Sequence, residues 1–266
     1  MGTYVHGYSD AEACRLADQA DALAVLLHSG VIFPPGSRVL EAGCGVGAQT
    51  VHLARNNPRV QFLSFDSSRS SIDIARRKVA AHGLKNVQMA VADVYDPPCR
   101  HGAFDHVFVC FLLEHLPDPT GALVGLKKVL KSGGSIVAIE GDHGSYYCHP
   151  RSDHADRVVQ CLIDAQARKR GDALIGRRLY PLMLHAGFKE VAVSPRMVYV
   201  DASKPELVEG FTKKTFIAMI EGAKEEALAL GLSTEDAWGR GIADLYRATY
   251  PDGTFCYTFF QATAVR

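Results

Sequence analysis

Short apolar runs alternate with amphipathic stretches along the middle of the chain. The runs are about four to eight residues long, rich in Val, Ile, Leu and Phe and bounded by turn residues, which is typical of buried strands. The stretches between them repeat apolar side chains at helical spacing. Strands are predicted at 38–41, 60–65, 87–91, 104–111 and 135–139. Strands that alternate with helices predict βαβ units, and therefore a doubly wound α/β fold with a mostly parallel sheet covered on both faces.

A further helix is predicted before the first strand. The run Ser9-Asp10-Ala11-Glu12 is a capping box, in which the Ser and Glu side chains each accept a hydrogen bond from a backbone N–H. Apolar residues at helical spacing then continue up to Gly30. Because Pro34-Pro35-Gly36 ends any regular structure, residues 1–36 are predicted to form a separate N-terminal segment.

After residue 141 the pattern is less regular. Helices are predicted at 153–170 and 179–186, followed by one or two strands at 189–193 and 197–200 and a mostly helical stretch at 205–250. The apolar run Phe255 to Val265 predicts a long closing strand. A hairpin connection needs only a few residues, so the helical stretch is interpreted as an insertion at about 203–252.

Charge and cysteine content exclude several classes of function. Lys plus Arg and Asp plus Glu each number 29, so no net positive field attracts a polyanion and we expect no nucleic-acid partner. No run approaches the roughly 20 apolar residues of a membrane span. The seven cysteines are an odd number with no CxxC pair and no signal peptide before them. We therefore expect reduced thiols and a cytoplasmic protein.

A glycine-rich turn follows the first predicted strand. It runs from Gly43 to Gly47 and opens a helix, so its backbone can turn sharply and direct N–H groups at a ligand. Asp66 ends the second predicted strand and Asp93 the third. The carboxyl ends of parallel strands share one edge of a sheet, so both acids are expected to line one crevice with the turn. The turn alone also fits a dinucleotide fingerprint, which leaves an NAD-type oxidoreductase as an alternative.

Five motifs in this order resemble the class I S-adenosylmethionine (SAM)-dependent methyltransferases. Within that family the chain is most similar to the small-molecule branch that includes ubiquinone and menaquinone C-methyltransferases. The motifs are Val39 to Gly47, Phe65 to Ser68, Val91 to Val94, Phe104-Asp105 with Glu114-His115-Leu116, and Leu130 to Gly134. The resemblance implies a Rossmann-like sheet with an antiparallel C-terminal strand, SAM as the cofactor, and methyl transfer to a small molecule.

The resemblance also implies roles for individual residues. The glycine turn would approach the methionine part of SAM, the acid after the second strand would hold the ribose, and residues after the third strand would contact the adenine. Phe111 would lie near the sulfonium, and the N-terminal segment would form a lid. The residues carried over for SAM are Tyr8, Gln19, Glu41, Gly43, Cys44, Gly45, Gly47, Asp66, Ser67, Ala92, Asp93, Val94 and Phe111. Among them Glu41 is interpreted as organising the turn.

Methyl transfer from a sulfonium requires chiefly that the acceptor is held in line and that water is excluded. An O- or C-acceptor needs a base in addition. The candidates for this base are His115, Asp142 and His143, and a packed or capping role is an equal alternative for His115. No metal is expected, because the spacing of His and Asp residues between 142 and 154 matches no recognised metal site.

The predicted insertion leaves two interpretations. Its aromatic residues Phe211, Phe216 and Trp238 would either wall an acceptor pocket as a cap or form the core of a helical unit. Residues 37–266 are taken as one SAM-binding domain that contains this insertion. A non-catalytic SAM-binding module stays an alternative to an enzyme, and the acceptor atom and a homodimer are both left open.

Overall fold

The structure is a computed structural model that describes residues 23–266. This part of the chain is built around one sheet. Its strands are β1 (Arg38–Ala42), β2 (Gln61–Asp66), β3 (Val87–Val91), β4 (Phe104–Cys110), β5 (Leu130–Gly141), β6 (Tyr147–His149), β7 (Lys189–Val200) and β8 (Thr254–Val265). Their order across the sheet is β3-β2-β1-β4-β5-β8-β6, and β7 also pairs with β8. Tyr8 and Gln19, which are predicted to contact SAM, and the predicted capping box lie outside the described residues.

The sheet is mixed in the predicted way. Strands β3, β2, β1, β4 and β5 run parallel, and β8 runs antiparallel to β5, β6 and β7. The prediction of a mostly parallel sheet with an antiparallel C-terminal strand is therefore confirmed. Strand β7 is continuous, with one irregularity between Lys189 and Ala192. Pro195 is tolerated inside it because β7 lies at an edge, where a missing N–H breaks no second ladder.

Helices connect the strands and cover both faces of the sheet. They are α1 (Ala48–Asn56), α2 (Arg69–Ala81), α3 (Pro119–Val129), α4 (Asp153–Arg168), α5 (Leu179–His185), α6 (Pro205–Leu207), α7 (Ala218–Gly222), α8 (Lys224–Ala229) and α9 (Glu235–Arg247). A π-helical stretch, Val208–Ile217, joins α6 to α7, and residues 23–28 are also helical. None of the helices within residues 23–266 is long and apolar enough to cross a membrane.

The core has two layers, one on each face of the sheet. Alternate residues of β4 separate them: Phe108 and Cys110 pack with α1, α4 and the insertion, whereas Val107 and Val109 pack with α3 and α5. All four side chains are buried. Because β4 is covered on both sides, its sequence is apolar at nearly every position, as expected for a central parallel strand.

The aromatic side chains of the insertion belong to the first of these layers. The Phe211 ring lies 5.9 Å from the rings of Phe255 and Tyr257 and 5.8 Å from that of Phe259, all on β8. Phe211, Phe216 and Trp238 are each 2% exposed. The insertion therefore shares a continuous core with the C-terminal strand.

Candidate active site

The glycine turn is tied to the end of β2 by backbone hydrogen bonds. The N–H groups of Gly43 and Cys44 both donate to the Phe65 carbonyl, at 2.9 and 3.0 Å. The N–H of Gly45 donates to Asp66 Oδ2 at 2.9 Å. The Asp66 carboxylate therefore stands directly against the turn, as the sequence predicts for two features at one sheet edge.

The three glycines of the turn have positive φ angles but different surroundings. At Gly43 an added Cβ would lie 2.8 Å from Leu112 Cδ1, and at Gly47 it would lie 3.0 Å from Ala75 Cβ. At Gly45, whose φ is 51°, nothing lies within 4 Å of that position. Gly43 and Gly47 thus permit close packing of the protein, whereas Gly45 leaves an open side on which a ligand can approach the backbone.

The end of β3 lies next to the end of β2. The N–H of Ala92 donates to the Asp66 carbonyl at 3.0 Å, and Asp93 Oδ1 accepts the N–H of Tyr95 at 3.0 Å. Ser67 and Asp93 are exposed and Val94 is buried. The structure therefore brings the turn, the residues after β2 and the residues after β3 to the same edge of the sheet.

Glu41, on β1 behind the turn, is buried in a small hydrogen-bond network. Its Oε2 accepts the Thr50 hydroxyl at 2.8 Å and the Ser64 hydroxyl at 2.6 Å. Burial raises the pKa of the Glu41 carboxyl to about 7, against the opposing effect of the two hydroxyls. Burial likewise raises the pKa of the neighbouring Cys44 thiol well above its ordinary value, which disfavours the nucleophilic thiolate form.

The loop after β4 is held by a buried carboxyl group. Glu140, at the end of β5, accepts the N–H groups of Leu112 and Leu113 on its Oε1 at 3.0 and 2.7 Å. Immediately before them, Phe111 adopts a φ of 55°, and its ring lies 5.6 Å from that of Phe259. A positive φ is uncommon for a bulky residue, so the surrounding contacts must stabilise it.

The position of Glu140 favours the protonated form of its carboxyl group. Burial, and then the negative charge of Glu114, raise the pKa of its carboxyl well above the ordinary range, more than the backbone N–H donors lower it. Its Oε2 is buried without a hydrogen-bond partner among the residues that the structure describes. The raised pKa thus disfavours a second negative charge beside Glu114, while Oε1 supplies an acceptor for the loop.

Glu114 stands between two imidazole rings. Its Oε1 lies 3.6 Å from His115 Nε2, and its Oε2 lies 3.5 Å from His143 Nε2. Gln166 Nε2, from α4, donates to Glu114 Oε2 at 3.2 Å. Burial acts to raise the pKa of the Glu114 carboxyl, but the charges and hydrogen bonds of the histidines and Gln166 together hold it well below its ordinary value. Glu114 is therefore a buried, ionised carboxylate.

The other two candidate bases lie in the loop after β5. His143 Nδ1 is 2.8 Å from the Tyr257 hydroxyl. Asp142 accepts two hydrogen bonds from Arg177, at 2.6 and 2.8 Å, and a third from the Gly144 N–H at 3.1 Å. Both side chains are buried. No group of three or more potential ligands within residues 23–266 is arranged to hold a metal ion.

Sequence analysis missed several members of this polar cluster. Glu140, Gln166, Arg177 and Tyr257 were not singled out, although each contacts a residue that was. Glu140 had a signal, since it is an acid at the carboxyl end of an apolar strand run. The other three come from α4, the segment before α5 and β8, so long-range packing alone brings them to the site.

Comparison with known proteins adds independent information. Residues 39–134 match a family described as a methyltransferase domain. A transposon-encoded, uncharacterised 37.1 kDa protein of Streptomyces fradiae is 30% identical over 191 residues, which are 71% of this chain and 54% of the relative. Phosphoethanolamine N-methyltransferase 3 of Arabidopsis thaliana is 29% identical over 79% of this chain and 42% of the relative. Demethylmenaquinone methyltransferase of Bacillus cytotoxicus is 30% identical over 40% of this chain and 45% of the relative. The chain spans about half the length of these relatives, or less.

Solved structures show the same fold. A SAM-dependent methyltransferase from Aquifex aeolicus superposes with a TM-score of 0.52 at 18% identity, over 74% of this chain and 94% of that one. Phosphoethanolamine N-methyltransferase 2 of Haemonchus contortus superposes with a TM-score of 0.55 at 19% identity, over 92% of this chain and 52% of that one. The 4+2 cyclase SpnF superposes with a TM-score of 0.55 at 19% identity, over 96% of this chain and 81% of that one.

Fold, motif order and family match agree. The matched residues 39–134 contain the glycine turn and the acids at the ends of β2 and β3. The antiparallel β8 lies outside the matched residues and completes the same sheet. The antiparallel β8 was a feature that an NAD-type oxidoreductase would not require. Residues 39–134 of this chain therefore match a methyltransferase domain, and residues 23–266 have the fold of solved SAM-dependent methyltransferases.

Proposed function

We propose that this chain binds SAM at the edge formed by the ends of β1, β2 and β3 and transfers its methyl group to a small molecule. The observation that supports this most is the convergence of Gly45, Asp66 and Asp93 at one edge of the sheet. Gly45 presents an open backbone, its N–H donates to the Asp66 carboxylate, and Asp93 follows the end of β3, where the Ala92 N–H donates to the Asp66 carbonyl. When bound, SAM supplies a methyl group on a sulfonium, which is already activated for transfer.

The residues present fit this cofactor. The glycine turn would lie under the methionine part, Asp66 and Ser67 would meet the ribose, and Ala92, Asp93 and Val94 would border the adenine. Asp66 is already oriented by the N–H groups of Gly45 and Ser68, which leaves oxygen lone pairs for ribose hydroxyls. Phe111, held at the end of β4, would face the sulfonium end. Glu41 would support the turn through Thr50 and Ser64 without contacting SAM.

Acid–base chemistry in this proposal is assigned to His115. An acceptor hydroxyl, ammonium or acidic C–H must lose a proton, and an imidazole is the side chain whose basicity suits this at neutral pH. The Asp142 carboxylate accepts hydrogen bonds from Arg177 and from the Gly144 N–H. These contacts fit a structural role, in which Asp142 holds the loop after β5 in place. Both nitrogens of His143 face protein groups, Tyr257 and Glu114, so His143 would act through its neighbours.

Calorimetry on the purified chain tests cofactor identity. We expect binding of SAM and of its demethylated product S-adenosylhomocysteine (SAH) and no binding of NAD. Incubation with isotopically labelled SAM and a mixture of metabolites then tests transfer. Binding of NAD without SAM would refute the proposal, and SAM binding without transfer to any metabolite would favour a non-catalytic module.

The cytoplasm is the compartment that we propose. The cysteines within residues 23–266, which are Cys44, Cys99, Cys110, Cys148, Cys161 and Cys256, are all free thiols. Free thiols persist in reducing compartments. Mass spectrometry after alkylation without prior reduction, on protein taken directly from cells, would detect a disulfide and so contradict this assignment.

A further inference from the structure

Glu41, on β1, is a buried carboxyl group whose described partners are neutral hydroxyls and a second acid. The residue is 2% exposed. Its Oε2 accepts the Thr50 and Ser64 hydroxyls at 2.8 and 2.6 Å. Within residues 23–266, the charge that acts on it is the negative one of Asp66. These surroundings therefore leave the charge of Glu41 unbalanced whenever its carboxyl group is ionised.

Both forms of this carboxyl group are accessible near neutral pH. Burial raises the pKa of Glu41 to about 7, with the two hydroxyls acting in the opposite direction. A hydroxyl can donate or accept, so Ser64 and Thr50 can hydrogen-bond to the ionised form and to the protonated form. A positive charge brought into the field of Glu41 favours the carboxylate, whereas a neutral group leaves the balance as it is.

The charge of Glu41 acts on both sides of the proposed cofactor site. On the side of the glycine turn, burial and then the Glu41 charge raise the pKa of the Cys44 thiol. On the side of β4, burial, Glu140 and then Glu41 raise the pKa of the Cys110 thiol. Cys110 immediately precedes Phe111, which is proposed to face the sulfonium. The field of Glu41 therefore extends to the part of the site where the methyl-bearing sulfur is proposed to bind.

Strand pairing gives the scale of this separation. Glu41 pairs with Phe108 on β4, and Phe111 follows Phe108 along the chain. At about 3.3 Å per residue, the positions of Glu41 and Phe111 are roughly 10 Å apart. Two unit charges at about that distance, in an effective dielectric constant of about 20, change a binding constant on the order of tenfold. The interaction is therefore large enough to measure without a direct contact.

We infer that Glu41 is the residue by which the site distinguishes SAM from SAH, because its carboxylate favours the positive sulfonium over the neutral thioether without contacting either. This inference rests on the proposed function, since it requires SAM at this edge of the sheet. SAM and SAH differ by one methyl group and by one positive charge at sulfur. A charge-selective site holds the reactant more tightly than the product, which reduces inhibition by SAH.

The preference for SAM should rise with pH. Below its pKa of about 7, Glu41 is mostly protonated in the free protein, so SAM binding must release a proton or forgo the attraction. Above that pKa the carboxylate is present before SAM arrives. SAH binding gains nothing from the charge at either pH. The ratio of the SAH Kd to the SAM Kd should therefore increase by up to about tenfold through neutral pH.

Two other buried acids act on the end of β4 without producing this pH dependence. Burial, and then the negative charge of Glu114, raise the pKa of Glu140 well above its ordinary value. Burial acts to raise the pKa of Glu114, but the neighbouring histidines and Gln166 hold it well below its ordinary value. Neither carboxyl group is expected to change its ionisation near neutral pH. Glu41 is therefore the acid of these three whose charge responds there.

Calorimetry on the full chain tests the inference. The Kd values of SAM and SAH are measured at about pH 6 and about pH 8 for the wild type and for Glu41→Gln, whose neutral amide keeps an oxygen for the two hydroxyls. Ionisation of the ligands' own groups is common to both proteins, so the informative quantity is the difference between them. We expect the SAH-to-SAM ratio of Kd values to rise several-fold more with pH in the wild type. The same pH response in both proteins would overturn the inference.

Glu140→Gln is the matched control, because it also replaces a buried carboxyl group by an amide. Its ratio of Kd values should respond to pH as in the wild type. Loss of the response in Glu140→Gln as well would assign it to the acidic group as a whole and overturn the role of Glu41.

A second measurement needs no variant. Titrations in buffers of different ionisation enthalpy count the protons released on binding. Glu41 is about half protonated at its pKa of about 7, so SAM binding at that pH should release up to about half a proton more than SAH binding. Equal counts for the two ligands would overturn the inference. Failure of the chain to bind either ligand would instead overturn the proposed function.

Discussion

Leu112 packs against the α-carbon of Gly43, so closely that a Cβ there would lie 2.8 Å from Leu112 Cδ1. The Leu112 N–H in turn donates to Glu140 Oε1. The glycine turn after β1 is thereby fixed against the loop that carries Glu114 and His115. Since closely packed groups do not shift independently, this contact mechanically links the proposed cofactor side of the site to the loop that carries the proposed base.

Two alanine substitutions in the turn should separate packing from ligand approach. Gly43 and Gly45 have φ angles of 73° and 51°, so alanine costs roughly 1–2 kcal/mol of backbone strain at either position. Gly43→Ala also collides with Leu112, whereas Gly45→Ala points into open space. We expect the larger fall in Tm, measured by scanning calorimetry, for Gly43→Ala. A larger fall for Gly45→Ala would contradict this account of the turn.

Truncation of the Glu140 side chain to alanine should cost more stability than replacement of its carboxyl group by the amide of glutamine. Glu140→Gln keeps a carbonyl oxygen for the N–H groups of Leu112 and Leu113. Glu140→Ala leaves both N–H groups buried and unpaired, at about 1–3 kcal/mol each. Urea unfolding should therefore show a loss of at least ~2 kcal/mol for the alanine variant and a much smaller loss for the glutamine variant. Equal losses would show that Glu140 does not hold the loop through its oxygen.

The sequence predicted those parts of the site that depend on strand ends. Asp66 and Asp93 could be placed together because parallel strands end at one edge, whatever the loops do. The bounds of helix α3 were not predicted, although Asp118 caps it and Pro119 opens it, a local signal that was present. The contacts of Gln166 and Tyr257 had no such signal. Gln166 is 52 positions from its partner Glu114, and Tyr257 is 114 positions from its partner His143. Only the packed fold decides which apolar faces bring them to Glu114 and His143.

Glu41 should make stability depend on pH between 4.5 and about 7, its ordinary and folded-state pKa values. The folded state holds a proton that the unfolded chain releases, so this contribution is complete below pH 4.5 and is lost as the pH rises to about 7. Each unit of pKa difference corresponds to about 1.4 kcal/mol, which gives a contribution of roughly 3 kcal/mol. Glu41→Gln should lose this pH dependence, measured as the difference in unfolding free energy from the wild type. Parallel pH profiles would show that Glu41 is ionised in the folded protein.

The packing of the insertion predicts a cost for changes at Phe211. Phe211→Ala should destabilise the protein by about 3–5 kcal/mol, because it opens a cavity against three aromatic rings of β8. Val25→Ala is the control, since Val25 is 87% exposed, and it should stay within about 0.5 kcal/mol of the wild type. An unchanged unfolding free energy in Phe211→Ala would indicate that the insertion is instead a detachable cap, which closes over an acceptor without supporting the fold.

The sharpest test of the cofactor site compares two carboxyl groups near the same glycine turn, those of Asp66 and Glu41. Asp66 accepts the N–H groups of Gly45 and Ser68 on its two oxygens, at 2.9 Å each, and lies at the sheet edge where the ribose is proposed to bind. Glu41 lies behind the same turn, and its carboxyl is occupied by Thr50 and Ser64. Asp66→Ala should therefore weaken SAH binding far more than Glu41→Gln. Two charge-assisted hydrogen bonds to ribose hydroxyls are worth about 1.5–3 kcal/mol each, and 1.4 kcal/mol is a factor of about ten in Kd. A loss of more than tenfold for Asp66→Ala, with a smaller loss for Glu41→Gln, is the expected calorimetric result.

Asp66→Asn distinguishes the two roles of the aspartate, because its single oxygen can serve either the turn or the ribose but its amide repels one backbone N–H. Wild-type affinity in Asp66→Ala would remove Asp66 from the cofactor site. A loss of equal size in both variants would instead show that the turn responds as one unit to any change beneath it.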